Sequence, residues 1–302
     1  MNGKMAPRDL LAALAVVVIW GTNFVAMKYG LRHLTPFQLG AGRYVFAVLP
    51  LVLLVRPPVL QARWMLLYGL FQGVGQFGFV FLSLKVGMSA SLASVLLQTQ
   101  VFFTALCGFL LLGERPSRQL LAGLFLAALG LACFGMNYVG AAALGTETTA
   151  AGFALCVAGA AMWAASNIVV RHAQRLSPGF DPLAFLVWSS LTPILPFVVL
   201  SLLFDGPAAR WQWQDAPLVT WCAVAYLGWM ATVVGYGLWT SLLKRYPANR
   251  VAPFSLGVPV VGITSGMLVL DESITPWQWS GIALIVLALG CVMFGGRLFS
   301  RR

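Results

Sequence analysis

Apolar residues run along this chain in blocks of about 20, and short stretches of charged residues, proline and glycine separate the blocks. A helix needs about 20 predominantly apolar residues to cross the hydrocarbon core of a bilayer. Cutting the sequence at its charges and turn residues therefore predicts ten membrane-spanning helices joined by short loops. The predicted helices cover residues 10–27, 37–55, 64–84, 90–112, 119–136, 149–170, 183–203, 218–243, 251–270 and 277–294.

One of these blocks occurs twice in the sequence. Residues 112–133 match residues 270–291 without a gap, and the seven identities include the pair Glu114 and Glu272. A repeat at about half the chain length indicates an internal duplication, and in a membrane chain a duplication is typical of transporters. A linker of small and polar residues at 140–149 divides the chain into two predicted halves of five helices, residues 8–138 and 149–296.

The distribution of basic residues predicts how the chain lies in the membrane. Of the 19 Lys and Arg residues, 14 fall on the side of the N-terminus, whereas Arg32, Lys85 and Arg210 fall on the other. Because basic loops stay in the cytoplasm, both termini are predicted to be cytoplasmic, in a protein of the inner membrane. Five helices per half is an odd number, so the second half must lie upside down relative to the first. The sequence thus predicts two inverted repeats.

Composition narrows the class of protein further. Only 9% of the 302 residues are charged and 60% are hydrophobic, whereas soluble domains carry about 25% charged residues. The five cysteines lie inside apolar runs, which disfavours a disulfide framework or a cysteine-based metal site. The net charge of +11 comes from singly scattered basic residues, which does not suit nucleic acid. We expect no cofactor, metal or nucleic acid, and a monomer that contacts membrane lipid and a small-molecule substrate.

All eight acidic residues and both histidines lie in loops or at helix ends. A proton-coupled carrier usually places a titratable group inside the membrane as a relay, so these positions favour facilitated transport along the solute gradient. A proton-coupled exporter of drugs or other metabolites is the alternative, with coupling through water or through His172. A cationic drug would need an interior carboxylate, so the substrate is predicted to be neutral or zwitterionic.

Polar and aromatic side chains inside the apolar runs are the candidate substrate-binding residues. An unsatisfied amide in hydrocarbon is costly, so an amide inside a span either bonds to a neighbouring helix or faces a cavity. Aromatic side chains supply the apolar part of many small-molecule sites, although inside a membrane helix they more often pack against other helices. The candidates are Trp20, Asn23, Arg43, Gln72, Gln76, Phe79, Gln98, Trp163, Asn167 and Tyr236.

Two of these assignments depend on helix geometry and depth. Gln72, Gln76 and Phe79 are spaced by three and four residues, which puts them on one face of an α-helix. Arg43 lies about six residues inside the second predicted helix. A structural role and a role in binding are both open for this arginine.

Several of these residues resemble those of a known family. Residues 20–24 read Trp-Gly-Thr-Asn-Phe, and together with Arg43 and the two copies of the Gly/Asp-Glu turn they resemble the EamA repeats of the drug/metabolite transporter superfamily. The resemblance covers nearly the whole chain, and the aromatic-rich helices are similar to those of the YddG-type exporters of amino acids. It implies ten helices around a central cavity, with the fifth and tenth at the periphery, and export of aromatic or other amino acids by alternating access.

Two other classes of function are open at this point: an intramembrane enzyme, and a membrane subunit that transports nothing. Residues 262–266 resemble a serine-protease motif, but no histidine inside a predicted span could activate Ser265. The sequence contains neither an HExxH zinc motif nor a phosphate-binding GxxxxGK[ST] loop. We therefore expect no catalytic residues and no enzymatic activity.

Overall fold

The computed structural model describes residues 5–112, 117–136, 148–177, 179–246 and 248–299. Over these residues the protein is all α-helical and has no strand, and ten helical segments are long and apolar enough to cross a membrane. The predicted all-α membrane fold is confirmed. In chain order the spans are α1 (Pro7–Gly30), α2 (Pro36–Leu54), α3 (Ala62–Lys85), α4 (Ala90–Leu110), α5 (Arg118–Met136), α6 (Ala150–Leu176), α7 (Pro182–Phe204), α8 (Leu218–Arg245), α9 (Pro253–Leu270) and α10 (Pro276–Phe294).

Each span begins and ends within a few residues of the predicted positions, and the largest difference is at the end of α6. This helix continues to Leu176, six residues past the predicted end at 170. The added turn includes Arg171 and Arg175. Charge interrupts an apolar run, but it does not interrupt backbone hydrogen bonding between residues four apart. The helix stops before Ser177, which precedes a proline and has a non-helical backbone.

Two spans contain wide π-helical segments at equivalent places. α3 is π-helical over Gly69–Phe77 and α8 over Tyr226–Val234, and the two segments have nine residues each. Tight 3-10 turns occupy Leu97–Thr99 in α4 and Ala252–Leu256 at the start of α9. π-helices are rare and often lie at functional sites. The same departures from α-helix in both halves are consistent with a duplicated fold.

Helix packing follows the same internal symmetry. α1 packs against α8 and α9, and α6 packs against α3 and α4. α2 packs against α7, while α5 and α10 pack mainly on each other. Each of these contacts has a counterpart when the helices of the two halves are exchanged. This pattern is consistent with inverted repeats related by a two-fold axis in the membrane plane.

Candidate substrate cavity

A cavity of about 420 Å³ lies in the middle of the bundle. Among the described residues, every span except α5 and α7 contributes to its wall. Its volume falls within the range of roughly 300–1,000 Å³ that is usual for small-molecule sites. The wall includes eight of the ten sequence candidates: Trp20, Asn23, Arg43, Gln76, Gln98, Trp163, Asn167 and Tyr236.

Gln72 lies behind the wall of this cavity rather than on it. Its Oε1 accepts a hydrogen bond from Ser166 Oγ at 2.6 Å, and its Nε2 donates to the Tyr236 hydroxyl at 3.1 Å. Both bonds join different helices, so Gln72 fixes the position of Tyr236. The sequence predicted Gln72 on the cavity wall. In the structure it lies in the layer of side chains behind the wall, where it supports Tyr236.

Phe79 does not line the cavity, and Phe77 does. The prediction placed Phe79 on the inner face because it assumed α-helical spacing along the whole of α3. The π-helical segment Gly69–Phe77 has more residues per turn, and it therefore changes which side chains face inward. The expected aromatic contribution from α3 is present, but it comes from two residues earlier in the chain.

Aromatic rings from α1 and α8 form one wall of the cavity. The ring centroid of Trp20 lies 5.0 Å from that of Tyr236 and 5.5 Å from that of Trp239, with tilted planes. Trp20 Nε1 donates to the carbonyl oxygen of Ala231 at 3.0 Å. A Cβ atom at Gly235 would lie 2.5 Å from Trp20 Nε1, so only glycine leaves room for this ring. This wall offers aromatic π faces to a solute, and the indole N–H of Trp20 is already bonded to the backbone.

Two wall amides bond to neighbouring helices. Asn167 Nδ2 donates to Gln100 Oε1 at 2.8 Å and to Thr104 Oγ1 at 3.2 Å, which joins α6 to α4. Gln98 Nε2 donates to the carbonyl oxygen of Ser255 at 3.0 Å, which joins α4 to α9. Interhelical bonding, which the sequence left open as the alternative to binding, is therefore present at both residues.

Asn23 and Gln76 differ from these amides. Their side-chain oxygens are buried, and no described residue donates a hydrogen bond to them. A buried polar atom left unpaired costs about 1–3 kcal/mol, and nearly all such atoms in native proteins are paired. Two unpaired amides on the wall of a cavity therefore indicate a place where a solute or water can bond.

Arg43 is the only charged residue among the described residues that line the cavity. It is 1% exposed, and its guanidinium lies 3.7 Å from the ring centroid of Phe77. Nη2 donates to Thr232 Oγ1 at 3.1 Å, whereas Nε and Nη1 have no partner in the part of the chain that the structure describes. A snorkelling arginine would place its charged group in water, and Arg43 instead holds it inside the bundle.

The structure adds wall residues that the sequence analysis did not select as candidates. Gln100 and Trp239 line the cavity, and so do Ser94 and Ser255. Gln100 and Trp239 carry the same signal as the selected residues, a polar or aromatic side chain inside an apolar run. Serines are common in packed membrane helices, so the sequence gave no reason to select these two.

The central cavity adjoins a second cavity at the end of the bundle that carries the N-terminus. This second cavity, of about 590 Å³, shares Gln100, Val101 and Asn167 with the first. It extends to Ser117 and Arg171, which lie at the start of α5 and near the end of α6. The two cavities therefore adjoin at the part of the wall that these three residues form.

Apolar side chains close the opposite end of the bundle. Met27 lines the central cavity and belongs to the same buried cluster as Met88 and Leu92. All three side chains are almost completely buried. Among the described residues, the central cavity shares no wall residue with a cavity of about 480 Å³ at this end, which Lys28 and Glu272 border.

Glu272 fixes the closed end by binding the N-terminus of α4. Its carboxylate accepts from the backbone N–H groups of Ala90 and Ser91 at 2.6 and 2.8 Å, and from Ser91 Oγ at 2.6 Å. A carboxylate at this position satisfies backbone N–H groups that have no partner within the helix, and it interacts favourably with the helix dipole. The loop between α9 and α10 is thereby joined to α4 of the other half of the chain.

Residues 8–136 and 150–294 match the profile of the EamA-like transporter family. The chain belongs to the EamA-like transporter family. The resemblance noted in the sequence is thereby confirmed, and it points to a transporter rather than an enzyme. Both matched segments of the family contribute helices to the wall of the central cavity.

Relatives of this EamA-family chain share its length. Proteins of Salmonella typhimurium (strain LT2) and Escherichia coli (strain K12), each named probable amino-acid metabolite efflux pump, are both 40% identical to it over 97% of either chain. An uncharacterized transporter of Archaeoglobus fulgidus is 27% identical over 92% of this chain and 95% of its own. A crystal structure with 18% identity has the same fold, with a TM-score of 0.62 over 98% of this chain and 99% of its own.

Proposed function

We propose that this protein exports small zwitterionic or neutral metabolites, foremost aromatic or other amino acids, by facilitated transport. The observation that carries the proposal is the cavity of about 420 Å³ whose wall combines aromatic rings, amides and one guanidinium. Such a wall offers donors, acceptors and apolar surface without a fixed negative charge. The names of the two relatives at 40% identity support amino-acid metabolites as the substrate class.

Facilitated transport is supported by the charges around the cavity. No carboxylate or histidine is found among the described residues that line it. His172 packs on Trp64, with ring centroids 5.0 Å apart, and is not part of the wall. Transport coupled to protons commonly uses a titratable group inside the membrane. A solute gradient is therefore the proposed driving force.

Alternating access is the proposed mechanism, with the N- and C-termini in the cytoplasm of an inner-membrane protein. The excess of basic residues on the side of the N-terminus supports this orientation. In that orientation the central cavity adjoins the cytoplasmic end, where an exporter takes up its solute. Rocking of one five-helix repeat against the other would close this end and open the end held by Glu272.

Counterflow in proteoliposomes tests the proposal. The purified chain is reconstituted, loaded with an unlabelled amino acid, and tested for uptake of a labelled amino acid across a panel of solutes at several pH values. We expect saturable uptake without a pH gradient or a membrane potential. Absence of uptake across the whole panel, from protein that remains folded and monodisperse, would overturn the proposed function. Uptake that requires a pH gradient would instead favour proton coupling.

Trp163 provides a test of the cavity wall. Replacing Trp163 by alanine is expected to raise the half-saturating solute concentration about tenfold, because an aromatic contact of roughly 1–1.5 kcal/mol is lost. The measurement is counterflow in proteoliposomes with matched amounts of protein. Trp277→Ala is the control, because Trp277 is 44% exposed at the start of α10 and lies off the cavity wall. Equal kinetics for the two variants would remove Trp163 from the site.

A further inference from the structure

Arg43 is a buried cation for which the described residues provide no anion. Its hydrogen bond goes to the neutral Thr232 hydroxyl, and its guanidinium otherwise rests on the neutral ring of Phe77. Arginine cannot lose its proton inside a protein. A charged side chain at the centre of a membrane helix costs about 2.5–3.5 kcal/mol by insertion measurements. The folded protein therefore maintains a positive charge that a negative ligand would neutralise.

Hydrogen-bond donors converge beside this charge. A small void of about 10 Å³, which has room for about one water molecule, is bordered by Arg43, Tyr44 and Tyr68. Arg43 Nε and Nη1 have no partner among the described residues. The Tyr44 and Tyr68 hydroxyls donate to no described residue. The void and the central cavity adjoin, because Arg43, Phe77 and Tyr236 border both.

We propose that Arg43 binds the carboxylate of the exported solute, and that a carboxylate is therefore required for recognition. The inference rests on the proposed function and narrows its substrate class to monocarboxylates such as α-amino acids. One carboxylate oxygen takes the place of the water-sized void, and the guanidinium donates along one edge, through the second N–H of Nη2 together with the unpaired Nε or Nη1 on that edge. Paired bonds from the planar guanidinium match the geometry of a carboxylate.

Charge balance favours a monocarboxylate over a phosphate. One guanidinium neutralises one carboxylate, whereas a doubly charged phosphate would leave a negative charge inside the membrane. The ammonium group of an amino acid needs a separate partner. The π faces of Trp20, Tyr236 and Trp239 line the same cavity as Arg43 and attract a cation. Neutral solutes without a carboxylate would leave Arg43 unpaired, so they bind more weakly.

The ring of Phe77 covers one face of the Arg43 guanidinium, with 3.7 Å between Cζ and the ring centroid. This contact offsets part of the cost of the buried charge. The N–H bonds of a guanidinium lie in its plane, so a ring on one face leaves the edges to an acceptor. Recognition of the carboxylate therefore adds two charge-assisted hydrogen bonds to the contact with Phe77.

Binding to the wild-type chain tests the requirement for a carboxylate without any substitution. Isothermal titration calorimetry on the full chain in detergent compares L-phenylalanine, L-phenylalaninamide, which lacks the carboxylate, and N-acetyl-L-phenylalanine, which keeps it. We expect the amide to bind about 100-fold more weakly than the amino acid, as for loss of a charge-assisted pair. The N-acetyl compound is expected to retain more affinity than the amide.

Variants of Arg43 then test whether this residue causes the difference in affinity between L-phenylalanine and its amide. Arg43→Gln is expected to lower the affinity for L-phenylalanine about 100-fold without lowering that for L-phenylalaninamide, whose ammonium group is then no longer repelled by the guanidinium. Arg43→Lys keeps the charge but loses the planar geometry, and we expect an intermediate affinity. Arg32→Gln is the matched control, because it removes an equal charge from a residue that stacks on Tyr29 just after the end of α1 and lies off the wall of the central cavity. Thermal unfolding of each variant verifies that it is folded.

The outcomes separate this inference from the proposed function. Equal affinity of the wild type for L-phenylalanine and its amide would overturn the inference. It would not contradict the proposed export of amino acids, which counterflow tests separately. If Arg43→Gln still bound L-phenylalanine more tightly than its amide by the wild-type factor, the inference would also be overturned, because another group must then bind the carboxylate. Failure of the wild type to bind or exchange any amino acid would overturn the proposed function together with the inference.

Discussion

Replacing Glu272 by glutamine is expected to expose the central cavity to the end of the bundle opposite the N-terminus. In the structure, its carboxylate accepts three hydrogen bonds from Ala90 and Ser91 at the start of α4. Glutamine has nearly the same shape, but it is neutral, and its NH₂ group cannot accept from a backbone N–H. Loss of roughly 2–3 kcal/mol of charge-assisted bonding would raise the population of the open form about 30- to 150-fold.

Cysteine labelling measures this opening directly. Ser94 lines the central cavity, and Ser94→Cys is introduced into a chain whose five native cysteines are replaced by alanine. A membrane-impermeant maleimide is then applied to the outside of intact cells. The labelling rate follows the open population when opening and closing are fast. We expect the labelling rate of the Glu272→Gln variant to exceed that of the parent chain by the same factor as the rise in its open population.

Asp271→Asn is the matched control for this experiment. Asp271 is the adjacent carboxylate, and its side chain bonds to no described residue. Its backbone is in the left-handed region, with φ of 52°, which asparagine tolerates well. The control is expected to label at the wild-type rate. An unchanged rate for Glu272→Gln would show that other contacts hold this end closed.

Replacing Gly21 by leucine is expected to abolish transport and to lower the stability of the folded protein. Gly21 in α1 lies at the crossing with α9, where an added Cβ would lie 2.5 Å from Val261 Cβ and 3.1 Å from the Gly262 nitrogen. Backbone atoms cannot move aside as flexible side chains do, so the two helices must separate. Overpacking of this kind typically costs about 1–3 kcal/mol, and more when the backbone is involved.

The consequence for transport follows from the neighbours of Gly21. Trp20 and Asn23 on the same helix line the cavity, and Ser255 and Val258 line it from α9. Separation of α1 from α9 would therefore displace both walls at once. The measurements are counterflow in proteoliposomes and the apparent unfolding temperature in detergent, which we expect to fall by on the order of 5–10 °C.

Gly135→Leu controls for the added side chain. Gly135 is in α5, and a Cβ built there meets no described atom within 4 Å. We expect flux and stability close to those of the wild type. If Gly21→Leu behaved like Gly135→Leu, close approach of α1 and α9 would not be needed for folding or transport.

The sequence located the elements of the fold because the membrane imposes a length on them. About 20 apolar residues are needed to cross the bilayer, and ten such runs became ten spans with small differences at their ends. Charges at the ends of the runs were less informative. α6 passed its predicted end by six residues because a helix can continue through Arg171 and Arg175 into the interface.

The sequence also located part of the cavity wall. A polar side chain inside an apolar run must bond to another helix or face a cavity, and eight of the ten selected residues line the cavity. It misplaced Phe79 because no signal in the sequence distinguished π-helix from α-helix over Gly69–Phe77. Gln72 was close to the site, but its bonds to Ser166 and Tyr236 depend on the positions of three helices.

What the sequence by itself determined is the membrane class, the ten spans and the family, because these depend on residue type and spacing along the chain. Only the tertiary structure decided which amides are already bonded, that Arg43 has no anion among the described residues, and which neighbouring cavity the central cavity adjoins. These properties depend on distances between residues far apart in sequence, such as Ala90 and Glu272. A hydrogen bond is made or lost within less than an ångström, and the order of residues does not set helix positions that finely.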